Sequence, residues 1–220
     1  MKELSILTSW LDKYPLFHSG DEIDEVRHKV GNIFVPHYLN VHGQDKHLCA
    51  DMNHLKLENI SINTLGYGTG VNINSDPFEK FLLIMLPMTG VMDAKVEEGV
   101  VRANQDTAAI INTSDPLSMQ WGDRCNQLII RIDKELIDRT CECLLGYPIK
   151  NDVRFSSALD MSTGFEMYQS LIYLLASNPF VSESAKTFPM ITKQLEHLLV
   201  SSLLLNQKNQ YSQELLKPEK

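Results

Sequence analysis

Cys141 and Cys143 stand one residue apart, the tightest pair of potential metal or redox ligands in the chain. Paired zinc ligands are normally separated by roughly two to four residues, and a second pair completes the site. Here Cys49 and Cys125 are isolated. The surrounding residues 133–145 have a helical spacing, so positions i and i+2 point about 200° apart and cannot face one ion. Packing is the better reading, with Cys141 on the face of Ile137 and Leu144 and Cys143 on another side. His37, His42, His47 and His54 form a loose group, but no His-x-His pair occurs and the one later histidine is His197. These side chains read as exposed or hydrogen-bonding residues, and neither a metal nor another cofactor is expected.

"GYGTG" at residues 66–70 invites a nucleotide reading, yet it lacks the Lys and Ser/Thr of a phosphate-binding loop. A strand-like run follows it where a helix would be required. A hairpin turn is the expectation. Asp93, Glu97 and Glu98 could be imagined as acid and base but fit a solvated hairpin edge. No Gly-x-Ser-x-Gly elbow or supported Cys/His pair is present, so nothing points to an enzyme.

What remains is a container. A small β-barrel can hold one ligand in its mouth, oriented by a few polar groups. The candidates are His37, Tyr67, Trp121 and Arg131, with Asn63 nearby in sequence. Each has a plainer role: Trp121 as a core plug, Arg131 facing solvent or paired with an acid, His37 bonded at the barrel mouth. An anionic ligand would need a cation, for which Arg131, Arg124 and Arg27 are available.

The elements that must position these residues follow from the apolar pattern. In 220 residues, 43% of them hydrophobic, one sizeable core can form. Residues 4–15 read as a short amphipathic helix ending at Pro15, and residues 21–31 as another closed by Gly31. From about 46 to 132, short apolar runs are cut by Gly, Asp-Pro and Ser-Asp, the pattern of an antiparallel sandwich or barrel. Helices are expected at 133–145, with Asp133 as N-cap, at 162–177, and at 183–207. In the last, Phe188, Ile191, Leu195, Leu198, Ser202 and Leu205 recur at alternating steps of three and four, near a heptad seam. Such a stripe packs either on its own domain or against a second helix in a dimer.

The formal charge is −8 and no basic run appears, so this chain is not expected to grip DNA or an acidic membrane by itself. No stretch approaches a membrane span, and the start lacks the features of a signal peptide. Four cysteines suggest no disulfide framework, which favours a reducing cytoplasm.

The ordered set "FVPHYL", "LGYGTGVNI", "FLLIMLPMTG", "DTAAIINTSDPLSMQW", "QLIIRIDKELIDRTCECLLGYP" and "ITKQLEHLLVSSLLL" resembles the N-terminal regulatory domain of AraC/XylS-type transcriptional regulators. The likeness runs from about 17 to 212. It implies an α+β fold: a cupin-like antiparallel β-barrel followed by an α-helical dimerisation appendage. On this reading residues 1–45 cap the barrel, 46–132 form it, 133–212 are the helical region and 213–220 begin a linker. It also implies a small effector, aromatic or carboxylate in character, near His37, Tyr67, Trp121 and Arg131. A homodimer would form through Ile191, Leu195, Leu198, Ser202 and Leu205. DNA and RNA polymerase would be met by helix-turn-helix units missing from this chain. A cupin-type metabolite enzyme and a ligand-free interaction module are the alternatives.

Overall fold

A computed structural model describes residues 11–20, 22–42, 47–161 and 188–217. Two antiparallel sheets face each other. The larger has seven strands in the order β1-β3-β4-β11-β6-β9-β12, and the smaller has five in the order β2-β5-β10-β7-β8. In the larger sheet β1 is Pro15–Gly20, β3 Ala50–Lys56, β4 Ile60–Gly66, β6 Phe81–Thr89, β9 Thr107–Ile111, β11 Asn126–Asp133 and β12 Ala158–Asp160. In the smaller, β2 is Tyr38–Val41, β5 Val71–Ser75, β7 Met92–Val96, β8 Gly99–Ala103 and β10 Leu117–Trp121. The cupin-like α+β class expected from the sequence holds, although the sheets stay open instead of closing into a barrel. Among the described strands, ladder hydrogen bonds run within each sheet and not between them.

The strand alternation explains two cores. On β11, Ile129 faces the smaller sheet while Leu128, Ile130 and Ile132 face the helices. On β6, Leu83 and Met85 point inward and Leu82, Ile84 and Leu86 outward. A sheet covered on both faces needs apolar residues at successive positions, which is why "FLLIML" and "LII" read as unbroken runs.

Among the described residues four α-helices accompany the sheets: α1 (Ile23–Ile33), α2 (Lys134–Leu145), α3 (Pro189–Asn206) and α4 (Ser212–Leu215). Helix α2 follows β11 directly, with Asp133 in extended conformation at its N-cap and Gly146 in the left-handed conformation at its end. Cys141 is buried beside Ile137, whereas Cys143 is exposed. Leu144 departs from the expected face: it is exposed, and Leu145 packs inward in its place.

The helices are not an appendage set apart from the sheets. Leu136, Ile137, Leu199, Val200, Leu203 and Leu204 pack on the outer face of the seven-stranded sheet. After α2 the chain returns and adds β12 to the edge strand β9. Arg154 anchors this return, its Nη2 lying 2.6 Å from the fully buried Asp115 carboxylate. Strands β1, β2 and β12 thus come from outside residues 46–132. The first two carry polar residues such as His18 and Asn40, and the third is three residues long, too little to show a period of two. The expected helix at 162–177 lies outside the described residues, as does most of the one at 4–15; residues 11–13 form a single 3-10 turn.

"GYGTG" is not a hairpin. It carries the chain from β4 in one sheet to β5 in the other. Gly68 sits at φ +74, and a Cβ there would lie 2.9 Å from the Cys49 carbonyl oxygen. Gly68→Ala should therefore cost about 1–3 kcal/mol. An unchanged urea midpoint would show that the crossing is not constrained in this way.

Candidate functional site

A small cavity lies between the sheets. The seven-stranded sheet lines it with Leu65, Leu83, Met85 and Ile129, and the five-stranded sheet with Ile73, Leu117, Met119 and Trp121. Tyr67, on the crossing segment, and His37, Val30, Phe34 and Val35, from the end of α1 and its exit, complete the wall. Strand parity accounts for the selection: Met119 and Trp121 are two apart on β10, as are Leu83 and Met85 on β6. The free volume is about 30 Å³, room for roughly one or two waters.

Three of the four residues anticipated from sequence meet here. His37 Nε2, Tyr67 OH and Trp121 Nε1 are each buried and without a protein hydrogen-bond partner. Each such group costs about 1–3 kcal/mol of desolvation unless something satisfies it. The rings of Tyr67 and Trp121 meet edge to face at 5.2 Å. Burial pushes the Tyr67 phenol upward, keeping it protonated. His37 donates Nδ1–H to the Val35 carbonyl at 2.9 Å. Burial lowers its pKa, the Val35 bond opposes this, and nearby Arg27 lowers it further.

A base whose pKa is lowered on folding resists a proton that the unfolded chain accepts near 6.5. His37 therefore contributes stability fully above that value and loses it as pH falls towards the lowered one. Denaturation at about pH 7.5 and about pH 5.5 should show a larger drop for the wild type than for His37→Gln. Equal drops would place His37 in a less buried setting.

Arg131 is not brought to this cavity. It lies on the inner face two residues beyond Ile129, stacked on Phe81 at 4.3 Å and paired with Asp133 at 2.7 Å. It lines a separate polar cleft of about 270 Å³ with His54, Lys56 and Asn59. The plainer sequence reading, a pairing with an acid, describes it. Asn63 is also spent elsewhere: it accepts from His54 Nδ1 at 2.6 Å and donates to the Ile129 carbonyl. Glu97 and Glu98 hold the returning segment through Arg154 and the Ser157 amide. Among the described residues no three His, Cys, Asp or Glu side chains gather as a possible metal site.

The stripe expected at a dimer interface divides on α3. Ser202 is buried and Leu195 packs against the core, while Ile191 is half-buried. Leu198 is 45% exposed and Leu205 41%, with Phe188 and Met190 also open. The intramolecular face takes in Ser202 and Leu195 and is otherwise carried by Thr192, Glu196, Leu199, Val200 and Leu203.

Glu196 is the residue that sequence reading overlooked. Its carboxylate is fully buried and accepts from Asn59 N at 2.6 Å, Asn59 Nδ2 at 2.8 Å and Ile60 N at 3.0 Å. A carboxylate within the apolar run of α3 was the available signal, but its partners lie at the β3–β4 turn, 136 positions away. Strand β4 runs from that turn to Leu65, and Tyr67 follows just beyond its end; both line the cavity.

Two facing antiparallel sheets with a small cavity between them, backed by helices, have a cupin-like form. The family model described as an AraC-binding-like domain matches residues 26–205, and the chain belongs to that family of transcriptional regulatory domains. It is 22% identical over 204 residues to a probable thc operon regulatory protein of Rhodococcus erythropolis, covering 91% of this chain and 61% of that protein's length. Among solved structures, it is similar to the AraC-like transcriptional activator CuxR, at 12% identity and a TM-score of 0.48 over 78% of this chain and 63% of the other. It also resembles an RmlC-like cupin protein from Desulfovibrio desulfuricans, at 15% identity and a TM-score of 0.33 over 42% and 89%. Among the described residues no helix is long and apolar enough to cross a membrane.

Proposed function

We propose that this chain is the effector-sensing and dimerisation domain of a cytoplasmic AraC-type regulator and is not an enzyme. The cavity bounded by His37, Tyr67 and Trp121 would take a small metabolite, and the exposed flank of α3 would pair with its counterpart in a second copy. The observation that carries this reading is that three residues lining one apolar cavity each hold a buried polar atom without a protein partner. DNA and RNA polymerase would be contacted by a separate domain, in keeping with the acidic charge here.

The cavity is smaller than an effector, so binding must displace side chains. Met85 and Met119 are unbranched and adaptable, and they supply that freedom. Movement of β4 would reach the β3–β4 turn and, through Glu196, helix α3. An effector that fits one arrangement better would then shift the population of dimer-competent α3.

A thermal-shift screen of small metabolites tests the sensing part. A hit should raise Tm with concentration in wild type and much less in Trp121→Phe, which removes the indole N–H. A broad screen without hits would leave only an interaction module.

A further inference from the structure

We propose that the cavity selects an uncharged, largely apolar molecule bearing one hydroxyl or N–H donor and one acceptor oxygen. The donor is received by His37 Nε2 and the oxygen takes the indole N–H of Trp121. This inference rests on the reading of the cavity as the effector site.

The argument begins with a tautomer. His37 Nδ1 lies 2.9 Å from the Val35 carbonyl oxygen, which can only accept. The proton is therefore on Nδ1. A neutral imidazole has one N–H, so Nε2 presents a lone pair and can only accept. Burial and the Arg27 charge both hold the ring towards its neutral form, outweighing the Val35 bond. The Trp121 indole N–H, by contrast, can only donate, and Tyr67 OH can do either. All three atoms are buried without a protein partner, on residues that line the same cavity. The complement of that set is a guest with a donor and an acceptor.

Charge is excluded by the rest of the wall. None of the remaining lining side chains is ionisable apart from the protonated phenol of Tyr67. A carboxylate would lose its hydration and find no cation, and an ammonium would find no anion. Arg131 does not fill the gap, since it is paired with Asp133 and lines a different cleft. Arg27 is paired with Asp24 at 2.8 Å and lies outside the wall. The carboxylate effector expected from the resemblance therefore does not suit this chain.

The test uses the whole chain and two matched sets of probes in calorimetry and thermal shift near neutral pH. One set is 4-methylphenol, 4-methylanisole and 4-methylbenzoate; the other is cyclohexanol, methoxycyclohexane and cyclohexanecarboxylate. In each set the hydroxyl compound should bind roughly tenfold tighter than the ether, which lacks the donor. The carboxylate should not bind over the same range. In His37→Phe the preference for hydroxyl over ether should vanish. If that variant fails to fold, the wild-type ratios decide alone. An ether that equals the hydroxyl, or a carboxylate that equals or exceeds it, overturns the chemical class while leaving the cavity a binding site. If no probe binds, or if binding is unchanged in the cavity-filling Ile129→Trp, the cavity is not the effector site and the proposal falls with it.

Discussion

Replacing Glu196 with alanine should lower Tm by roughly 10 °C, the largest loss expected from a single change away from the sheets. The carboxylate is fully buried and accepts three N–H groups at the β3–β4 turn, two of them backbone amides. Hydrogen bonds to a charged acceptor contribute about 1.5–3 kcal/mol each, and removing the acceptor leaves the amides buried and unpaired. Because the bonds are not additive, about 3 kcal/mol is a sober total. For a domain of this size that corresponds to roughly 6–12 °C. Glu196→Gln should lose less, since one oxygen remains, but its amide hydrogens would meet the Asn59 amide. The proposed relay would make Glu196 a positioning residue, and a second readout separates that from plain support. On the proposed relay, a cavity ligand should still bind Glu196→Ala, yet dimerisation should no longer respond to it. A variant with wild-type Tm, or one that keeps the ligand-dependent shift in dimerisation, would remove Glu196 from this role.

If α3 pairs as proposed, Leu198→Asp should leave the chain monomeric with little change in the stability of the fold. Leu198 is nearly half exposed and belongs to the flank of α3 that does not face the sheet. Loss of an intramolecular contact is therefore small, within about 0.5 kcal/mol for an exposed site. In a two-fold interface every substitution acts twice, and two aspartates would be brought together on an apolar seam. Sedimentation at about tens of micromolar, ample for a weak interface, should show wild type as a dimer and the variant as a monomer. Leu205→Asp should behave alike. A wild type that is monomeric at that concentration would contradict the proposed interface outright.

Much of the architecture was legible in the residues themselves. The runs "FLLIMLPM" and "NQLIIRID" signalled strands because their apolar residues lie between flanking turn residues. The bounds of helix α2 were legible because its end carries Gly146 in the left-handed conformation and Pro148 beyond it, although Asp133 at its start makes no side-chain cap and pairs with Arg131 instead. Cys141 and Cys143 could be dismissed as a metal pair from helical geometry alone, and the structure separates them into one buried and one exposed thiol. His37, Tyr67 and Trp121 could be picked out as polar tips set among apolar strands.

Contacts that join distant segments were not legible. Whether "GYGTG" turns back within a sheet or crosses to the other depends on which strand β5 pairs with, and it pairs with β2 and β10. Whether Arg131 meets a ligand or Asp133 depends on which end of the inner face β11 presents to the cavity.

The sequence by itself determined the class of fold, because periodicity, caps and turn residues express short-range preferences that every residue carries with it. It also determined the polar inventory available to a ligand. Only the tertiary structure decided that three of those polar groups share a cavity and a fourth does not, that the sheets stay open, and that Glu196 ties α3 to the strand leading there. The physical reason is range: hydrogen bonds and packing between segments more than a hundred residues apart depend on strand order and on how elements stack, and no local pattern records either.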